Sequence, residues 1–176
     1  SNTEFMAANA RGADLVLERL RACDLPEADR DRFAKGLYFL GKNMPGRLVR
    51  TTFDELRNSG KLRLIDDAQL RDVISETYRR QDSHEQIFSL IVARMNPHIA
   101  YVDSQVMFAV DATTRHGDNI QWRHLDIDFE AACQDRRFQT AVAAIRNYTY
   151  DSLNDSDRIQ KRYAELLVMI EKENRR

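Results

Sequence analysis

The stretch from Thr51 to Leu70 constrains the fold most strongly, because several independent local signals fall within it. Thr52 and Glu55 form the S/T-x-x-E pattern of a capping box, which predicts a helix beginning at Phe53. The residues Asn58-Ser59-Gly60 predict where this helix ends, because glycine tolerates the left-handed conformation that closes a helix. We therefore expect a helix of about two turns, followed by a glycine with positive φ.

A second set of signals predicts the start of the next helix. Asp66 and Gln69 repeat the capping pattern, and Ile65 and Leu70 occupy the two positions of a hydrophobic staple. Together these residues predict both where the helix begins and the angle at which the chain enters it.

The segment TTFDELRNSGKLRLIDDAQLRDVISETY resembles the central part of a family of uncharacterised bacterial proteins, a domain of unknown function. The matching residues are Thr51, Thr52, Phe53, Asp54, Glu55, Leu56, Ser59, Gly60, Leu62, Leu64 and Ile65. Members of that family usually begin with one membrane-spanning helix, continue into a charged helical region and end in a long helix. The resemblance implies that this chain is the part after the membrane helix, and it implies no catalytic or binding residues.

The resemblance also bears on location. Family members resemble proteins with short, basic N-terminal tails, which the positive-inside rule keeps in the cytoplasm. The resemblance therefore implies a membrane-anchored protein whose soluble domain faces the periplasm. A cytoplasmic location stays open as the alternative. The opening Ser1-Asn2 is typical of a tag remnant, so we expect the natural N-terminus to lie upstream.

Composition predicts one helical domain over residues 1–176, with a disordered lead-in at 1–9. A chain of 176 residues is long enough for one sizeable core, and 43% apolar with 31% charged residues is typical of a globular protein. The 27 Lys and Arg nearly balance the 28 Asp and Glu, so the chain has no net field that would attract nucleic acid. We expect no nucleic-acid partner.

The two cysteines, Cys23 and Cys133, are far apart and form no C-x-x-C pair, so the sequence indicates neither a zinc site nor a redox dithiol. Buried free thiols are the expected state. A disulfide stays open for a domain outside the cytoplasm.

Helical periodicity recurs along most of the chain and predicts an all-α fold, an antiparallel bundle with a long C-terminal helix. The first two predicted helices, joined by a short link, should form an antiparallel hairpin. We expect a helix from Asp67 to a break at Pro97, a further helix to about Val110, and a polar loop over 111–125. Asp128 and Asp135 are predicted N-caps, and the polar run 154–157 is a predicted bend or interruption in the last helix. The apolar stripes on which these predictions rest are Leu15, Leu17 and Leu20; Phe33, Leu37 and Leu40; Leu70, Ile74, Tyr78, Gln81, Phe88, Ile91 and Met95; and Phe138, Val142, Ile145, Leu153, Tyr163, Leu167 and Ile170.

Candidate catalytic and metal motifs are incomplete. His84-Glu85 begins the zinc-protease pattern H-E-x-x-H, but Phe88 stands where the second histidine is needed. We therefore expect His84 to be a partly exposed helix residue. No E-x-x-H occurs, which excludes the di-iron carboxylate pattern. We assign no catalytic, cofactor-binding or metal-binding residue and no cofactor.

Three classes of function stay open. The first is a non-enzymatic helical interaction domain that is attached to a membrane anchor and binds a protein partner or a second copy of itself. The second is an enzyme whose site lies in the 116–126 loop, where His116, Asp118, His124 and Asp126 gather. The third is a ligand-sensing helical domain with an apolar cavity between its long helices.

Overall fold

The computed structural model describes residues 2–42, 51–108, 125–173 and 175, and it confirms the all-α prediction. The helices are α1 (Asn2–Ala22), α2 (Arg30–Phe39), α3 (Thr51–Asn58), α4 (Ala68–Gln105), α5 (Phe129–Gln134) and α6 (Arg136–Glu173). Short 3-10 turns cover Glu27–Asp29 and Lys61–Leu64. Two residues on each side of the gap pair as antiparallel strands, β1 (Met107–Phe108) with β2 (Leu125–Asp126).

The chain divides into two compact units. Unit 1 consists of Ser1–Met44 and Leu90–Leu153, and unit 2 consists of Pro45–Ser89 and Asn154–Arg176. The long helices α4 and α6 each contribute residues to both units. The expectation of one domain over residues 1–176 stays a prediction.

In unit 1, α1 and α2 form the predicted antiparallel hairpin. Phe5 meets Phe39 edge to face, with ring centroids 5.9 Å apart, while Arg19 forms an ion pair with Asp29 at 2.9 Å. Between these two contacts the helices cross through their glycines: a Cβ on Gly36 would lie 2.7 Å from the Gly12 carbonyl oxygen. The absence of side chains at this crossing lets the two backbones approach closely.

The structure corrects the predicted disordered lead-in at residues 1–9. Helix α1 begins at Asn2, and Met6 is only 1% exposed. The buried face runs from Met6 through Ala10 and Ala13 to Val16. Alanines carry little apolar surface, so this half of the helix lacks the leucine stripe on which the sequence prediction relied.

The core of unit 1 brings residues from distant parts of the sequence together. Phe33 packs edge to face on Phe129, with centroids 5.5 Å apart. The core side chains are Ala13, Val16, Leu17, Leu20, Phe33, Leu37, Leu40, Met95, Val102, Val106, Ala132, Cys133, Phe138, Ala141, Val142 and Ile145. The predicted stripe on α2 is thus buried as expected.

Cys23 and Cys133 form a disulfide, which corrects the expectation of two free thiols. Their Cα atoms are 5.3 Å apart although 110 positions separate them in sequence. The bond joins the residue after α1 to helix α5. Sequence spacing alone could not reveal it, because the two cysteines meet only once α5 has packed on the hairpin.

In unit 2, the predicted end of the short helix α3 is confirmed. Gly60 has φ +70°, and the amides of Ser59 and Gly60 donate to the carbonyls of Glu55 and Arg57 at 2.9 and 3.1 Å.

The predicted start of α3 was wrong, because α3 already includes Thr51. Thr52 therefore lies inside the helix, where it cannot act as the N-cap.

The start of α4 is shifted by one residue from its prediction. Asp67 rather than Asp66 is the N-cap, and its Oδ1 accepts the Leu70 amide at 3.0 Å. Leu70 is buried and Ile65 half-buried, so both proposed staple residues are at least partly covered. Two adjacent aspartates offer the same chemistry, so the pattern could not distinguish them.

Helix α4 is not interrupted at Pro97, in contrast to the prediction. It continues to Gln105, and Val110 lies outside the described residues. Proline removes one backbone donor, which leaves the Ala93 carbonyl without its helical partner. Ala93 and Pro97 are both exposed, so water can bind that carbonyl while Met95 and Val102 stay in the core on the other side.

Helices α5 and α6 begin at their predicted caps. Asp128 Oδ1 accepts the Ala131 amide at 3.0 Å, and Asp135 Oδ1 accepts the Arg137 amide at 2.7 Å. Asp135 also accepts a hydrogen bond from the Tyr101 hydroxyl at 2.6 Å. This bond, followed by the backbone amides, holds the pKa of Asp135 below its usual value and raises the pKa of Tyr101.

Helix α6 passes through the polar run 154–157 without a break, so the expected interruption was wrong, while the alternative of a bend stays a prediction. Asp157 forms an i,i+4 ion pair with Lys161 at 2.7 Å, and Asp155 bonds His84. These side chains therefore bond to other side chains instead of competing for the helix backbone.

We predict that Gly36→Ala lowers the free energy of unfolding by about 1–2 kcal/mol, measured by urea denaturation. The added methyl group would overlap the Gly12 carbonyl and Val16. The sign of the change in unfolding free energy tests the close crossing, because helix propensity alone would make the alanine variant more stable by about 1 kcal/mol. A stabilised variant would contradict the close crossing.

Candidate functional site

A line of polar residues lies buried on α4. Thr77, Gln81 and His84 recur at helical spacing, and each is at most 5% exposed. The Thr77 hydroxyl donates to the Val73 carbonyl at 2.7 Å, and Gln81 Nε2 donates to Glu85 Oε1 at 3.0 Å. Buried polar groups are costly without partners, and these bonds satisfy the Thr77 hydroxyl and Gln81 Nε2, whereas Gln81 Oε1 is buried with no hydrogen bond among the described residues.

His84 finds its partner on α6, within unit 2. Its Nδ1 is hydrogen-bonded to Asp155 Oδ2, which joins residues 71 positions apart. The Asp155 side chain is 25% exposed, whereas that of His84 is almost fully enclosed. A carboxylate that bonds one imidazole nitrogen fixes both the orientation of the ring and its tautomer.

The prediction that His84 is a partly exposed helix residue was wrong. The failed zinc motif made an isolated surface histidine the natural expectation. One signal could have corrected it: His84 follows Gln81 by three residues, and Gln81 lies on the predicted buried stripe. A polar residue on that stripe needs a partner, and the carboxylates of 154–157 were available on the other long helix.

Aromatic rings pack around the same helices of unit 2. Phe53 stacks on Tyr78 with centroids 3.7 Å apart and nearly parallel planes, and Tyr163 meets Tyr78 edge to face at 6.4 Å. Tyr78 pairs with Tyr163, and His84 with Asp155, so α4 and α6 run antiparallel within this unit. Phe53, part of the segment that carries the family resemblance, is thus a packing residue.

The chemistry of the His84–Asp155 pair is structural. Such a pair resembles the base and its orienting carboxylate in hydrolases, but a general base must reach the proton that it removes. At 5% exposure His84 offers no surface on which a substrate could lie. Within the described ranges, no group of three or more His, Cys, Asp or Glu side chains is placed to hold a metal ion.

Three of the four residues of the proposed alternative site lie outside the described part of the chain. His116, Asp118 and His124 lie outside the described residues, and Asp126 belongs to the exposed end of β2. The enzyme alternative therefore gains no geometry from this loop.

An open groove of about 870 Å³ runs along α3 in unit 2. Its polar lining residues are Thr51, Thr52, Asp54, Glu55, Asn58, Ser59 and Lys61. The Ser59 hydroxyl donates to the Glu55 carbonyl at 2.6 Å, and Asp54 forms an ion pair with Arg57 at 3.1 Å. Both groups therefore form bonds within the helix itself, and the described lining residues include no imidazole or thiol that could activate a nucleophile.

One turn near the C-terminal end of α6 is apolar around its whole circumference. Residues 166–170 read LLVMI, and at 100° per residue five consecutive side chains surround the helix. Leu166 is buried, but Leu167 is 56% and Val168 65% exposed. Leu167 belonged to the predicted buried stripe, so the structure corrects that assignment by one residue.

We define the outer face of α6 as Ala164, Leu167 and Val168, which are all exposed and recur at i, i+3 and i+4. Single exposed apolar residues are common on protein surfaces. A helix that is apolar on both sides is instead typical of one that is covered on both sides. This face is the strongest candidate for a binding surface.

No protein-family model, curated protein or solved structure matches this chain. Among the described helices, none carries an apolar stretch long enough to span a bilayer.

We predict that Asp155→Ala lowers the free energy of unfolding by about 1–3 kcal/mol, because it leaves the buried imidazole unpaired. The double variant His84→Leu/Asp155→Leu should recover most of this loss, because it removes both polar partners together. Thermal and urea unfolding measure both changes.

Asp157→Ala is the matched control, since it removes an exposed ion pair two residues away and should cost less than about 1 kcal/mol. Equal stability of Asp155→Ala and Asp157→Ala would contradict the buried pair.

Proposed function

We propose that this chain is a non-enzymatic helical interaction domain of a membrane-anchored bacterial protein, placed on the periplasmic side. Its partner would be a protein. The outer face of α6 is the observation that carries the proposal, because Leu167 and Val168 are exposed apolar residues although their neighbour Leu166 is buried.

The spacing of the exposed apolar residues fits a helical partner. Leu167 and Val168 are adjacent, Ala164 extends the face by one turn, and a helical partner binds such a face through anchors at i, i+3 and i+4. A small residue such as Ala164 lets the partner helix approach closely beside the two larger anchors. Among the described residues, the other strongly exposed large apolar side chains are Leu64, Ile87 and Leu90.

The proposed location has two supports. The resemblance of residues 51–78 to a family with an N-terminal membrane helix implies an anchor, and the disulfide between Cys23 and Cys133 fits a domain that folds in an oxidising compartment. Cytoplasmic thiols are kept reduced, so a protein that resides there would not keep this bond.

The interaction is tested with a cysteine on the outer face. The full-length protein carrying Val168→Cys is labelled with a thiol reagent in its native cells and, separately, as purified chain at low concentration. The native cysteines are paired and do not compete. We expect Cys at position 168 to be protected in cells and reactive when purified.

Arg162→Cys is the matched control, because Arg162 lies on the far side of α6 and is 45% exposed. It should react in both settings. Equal labelling of both positions in cells would overturn the proposed interaction surface.

The location is tested by expressing the full-length gene with a C-terminal reporter that is active only outside the cytoplasm. We expect an active reporter in the membrane fraction and no free thiol in the unreduced protein. A soluble full-length product rejects the anchor, and a membrane-bound protein with a silent reporter and two free thiols rejects the periplasmic side.

A further inference from the structure

The outer face of α6 has opposite charges at its two ends. Lys161 lies one turn before Ala164, and Glu171 lies one turn after Leu167. At 100° per residue both fall on the same side of the helix as the apolar residues, and ten residues place them about 15 Å apart. Both side chains are exposed.

We infer that the outer face of α6 binds the same face of a second copy of this chain, with the two helices antiparallel. This inference rests on the proposed function and names its partner. In that arrangement Val168 of one copy packs on Ala164 of the other, and the Leu167 side chains of the two copies lie near the two-fold axis. Lys161 of each copy then lies beside Glu171 of its partner, at both ends of the contact.

Charge complementarity selects this orientation. Two parallel copies would place lysine beside lysine and glutamate beside glutamate, and like charges in contact oppose association. The antiparallel pair instead has two-fold symmetry, in which one self-complementary surface satisfies both chains.

Within its own helix, Lys161 forms only a weak ion pair that would compete with a partner from a second copy. Its ammonium forms an i,i+4 ion pair with Asp157 of the same helix at 2.7 Å, and the lysine side chain is 71% exposed. Exposed pairs of this kind contribute little, so the lysine can turn to a carboxylate of a second copy. In the described part of the chain, Glu171 forms no ion pair that would compete with a lysine of a second copy.

A lipid surface fits the face less well. Helices that lie on anionic membranes carry lysine and arginine beside their apolar side. Here Glu171 lies at one end of the face and would be repelled, whereas a second copy provides a lysine at that position.

Sedimentation of the whole chain at increasing concentration tests the inference. We expect wild-type protein to shift from monomer to dimer mass between about 10 μM and 1 mM, the range of a small interface. Lys161→Glu and Glu171→Lys should each weaken self-association by roughly tenfold, because two ion pairs turn repulsive. Mixing these two variants should restore association, because each supplies the charge that the other lacks.

Arg162→Glu makes the same change of charge as Lys161→Glu on the far side of the helix and should leave association unchanged. Unfolding curves of all variants check that the exposed substitutions preserve the fold. Leu167→Glu should abolish the dimer.

The outcomes separate this inference from the proposed function. A wild-type chain that stays monomeric to about 1 mM, or a mixture of the charge variants that does not associate, overturns the second copy as partner. Protection of position 168 in cells would then identify a different protein as the partner. Loss of that protection as well would overturn both proposals.

Discussion

The burial of His84 is the constraint on which unit 2 depends. An imidazole that is 5% exposed must have a polar partner, and Asp155 is the side chain that supplies one. This bond fixes the register of α4 against α6 within the unit, and the same register places Tyr163 against Tyr78, the ring on which Phe53 stacks. A single polar contact and an aromatic cluster thus specify one arrangement of three helices.

Unit 1 is held by constraints of a different kind. The Gly12–Gly36 crossing sets how closely α1 and α2 approach, and the Cys23–Cys133 disulfide ties the end of α1 to α5. Neither constraint involves a titrating group, and closing a loop of this length restricts the unfolded chain strongly. The two units therefore differ in what would loosen them: reducing conditions act on the first, and loss of a polar partner acts on the second.

Local signals predicted local structure well. The helical class, the α1–α2 hairpin, the positive φ of Gly60 and the caps at Asp128 and Asp135 all follow from residues within a few positions of each other. The sequence could not predict contacts between distant residues, namely His84 with Asp155 and Cys23 with Cys133. It also missed the helical start at Asn2, because the buried face of that half of α1 includes alanines rather than leucines. Pro97 illustrates the same limit, because tertiary packing of Met95 and Val102 outweighed one lost hydrogen bond. The exposure of Leu167 was missed because periodicity counts apolar residues without showing which side of a wholly apolar turn is covered.

The most direct test of this account is an NMR measurement of the His84 side chain in the folded protein. Enclosure and the bond to Asp155 predict that its Nδ1 is protonated, that this proton exchanges slowly with water, and that it shows a contact to α6. In Asp155→Ala, which removes the acceptor, the slow proton should be lost while the amide spectrum of unit 1 stays the same. An imidazole whose protons exchange as fast as those of a solvent-exposed histidine would contradict the buried pair, and with it the register proposed for unit 2.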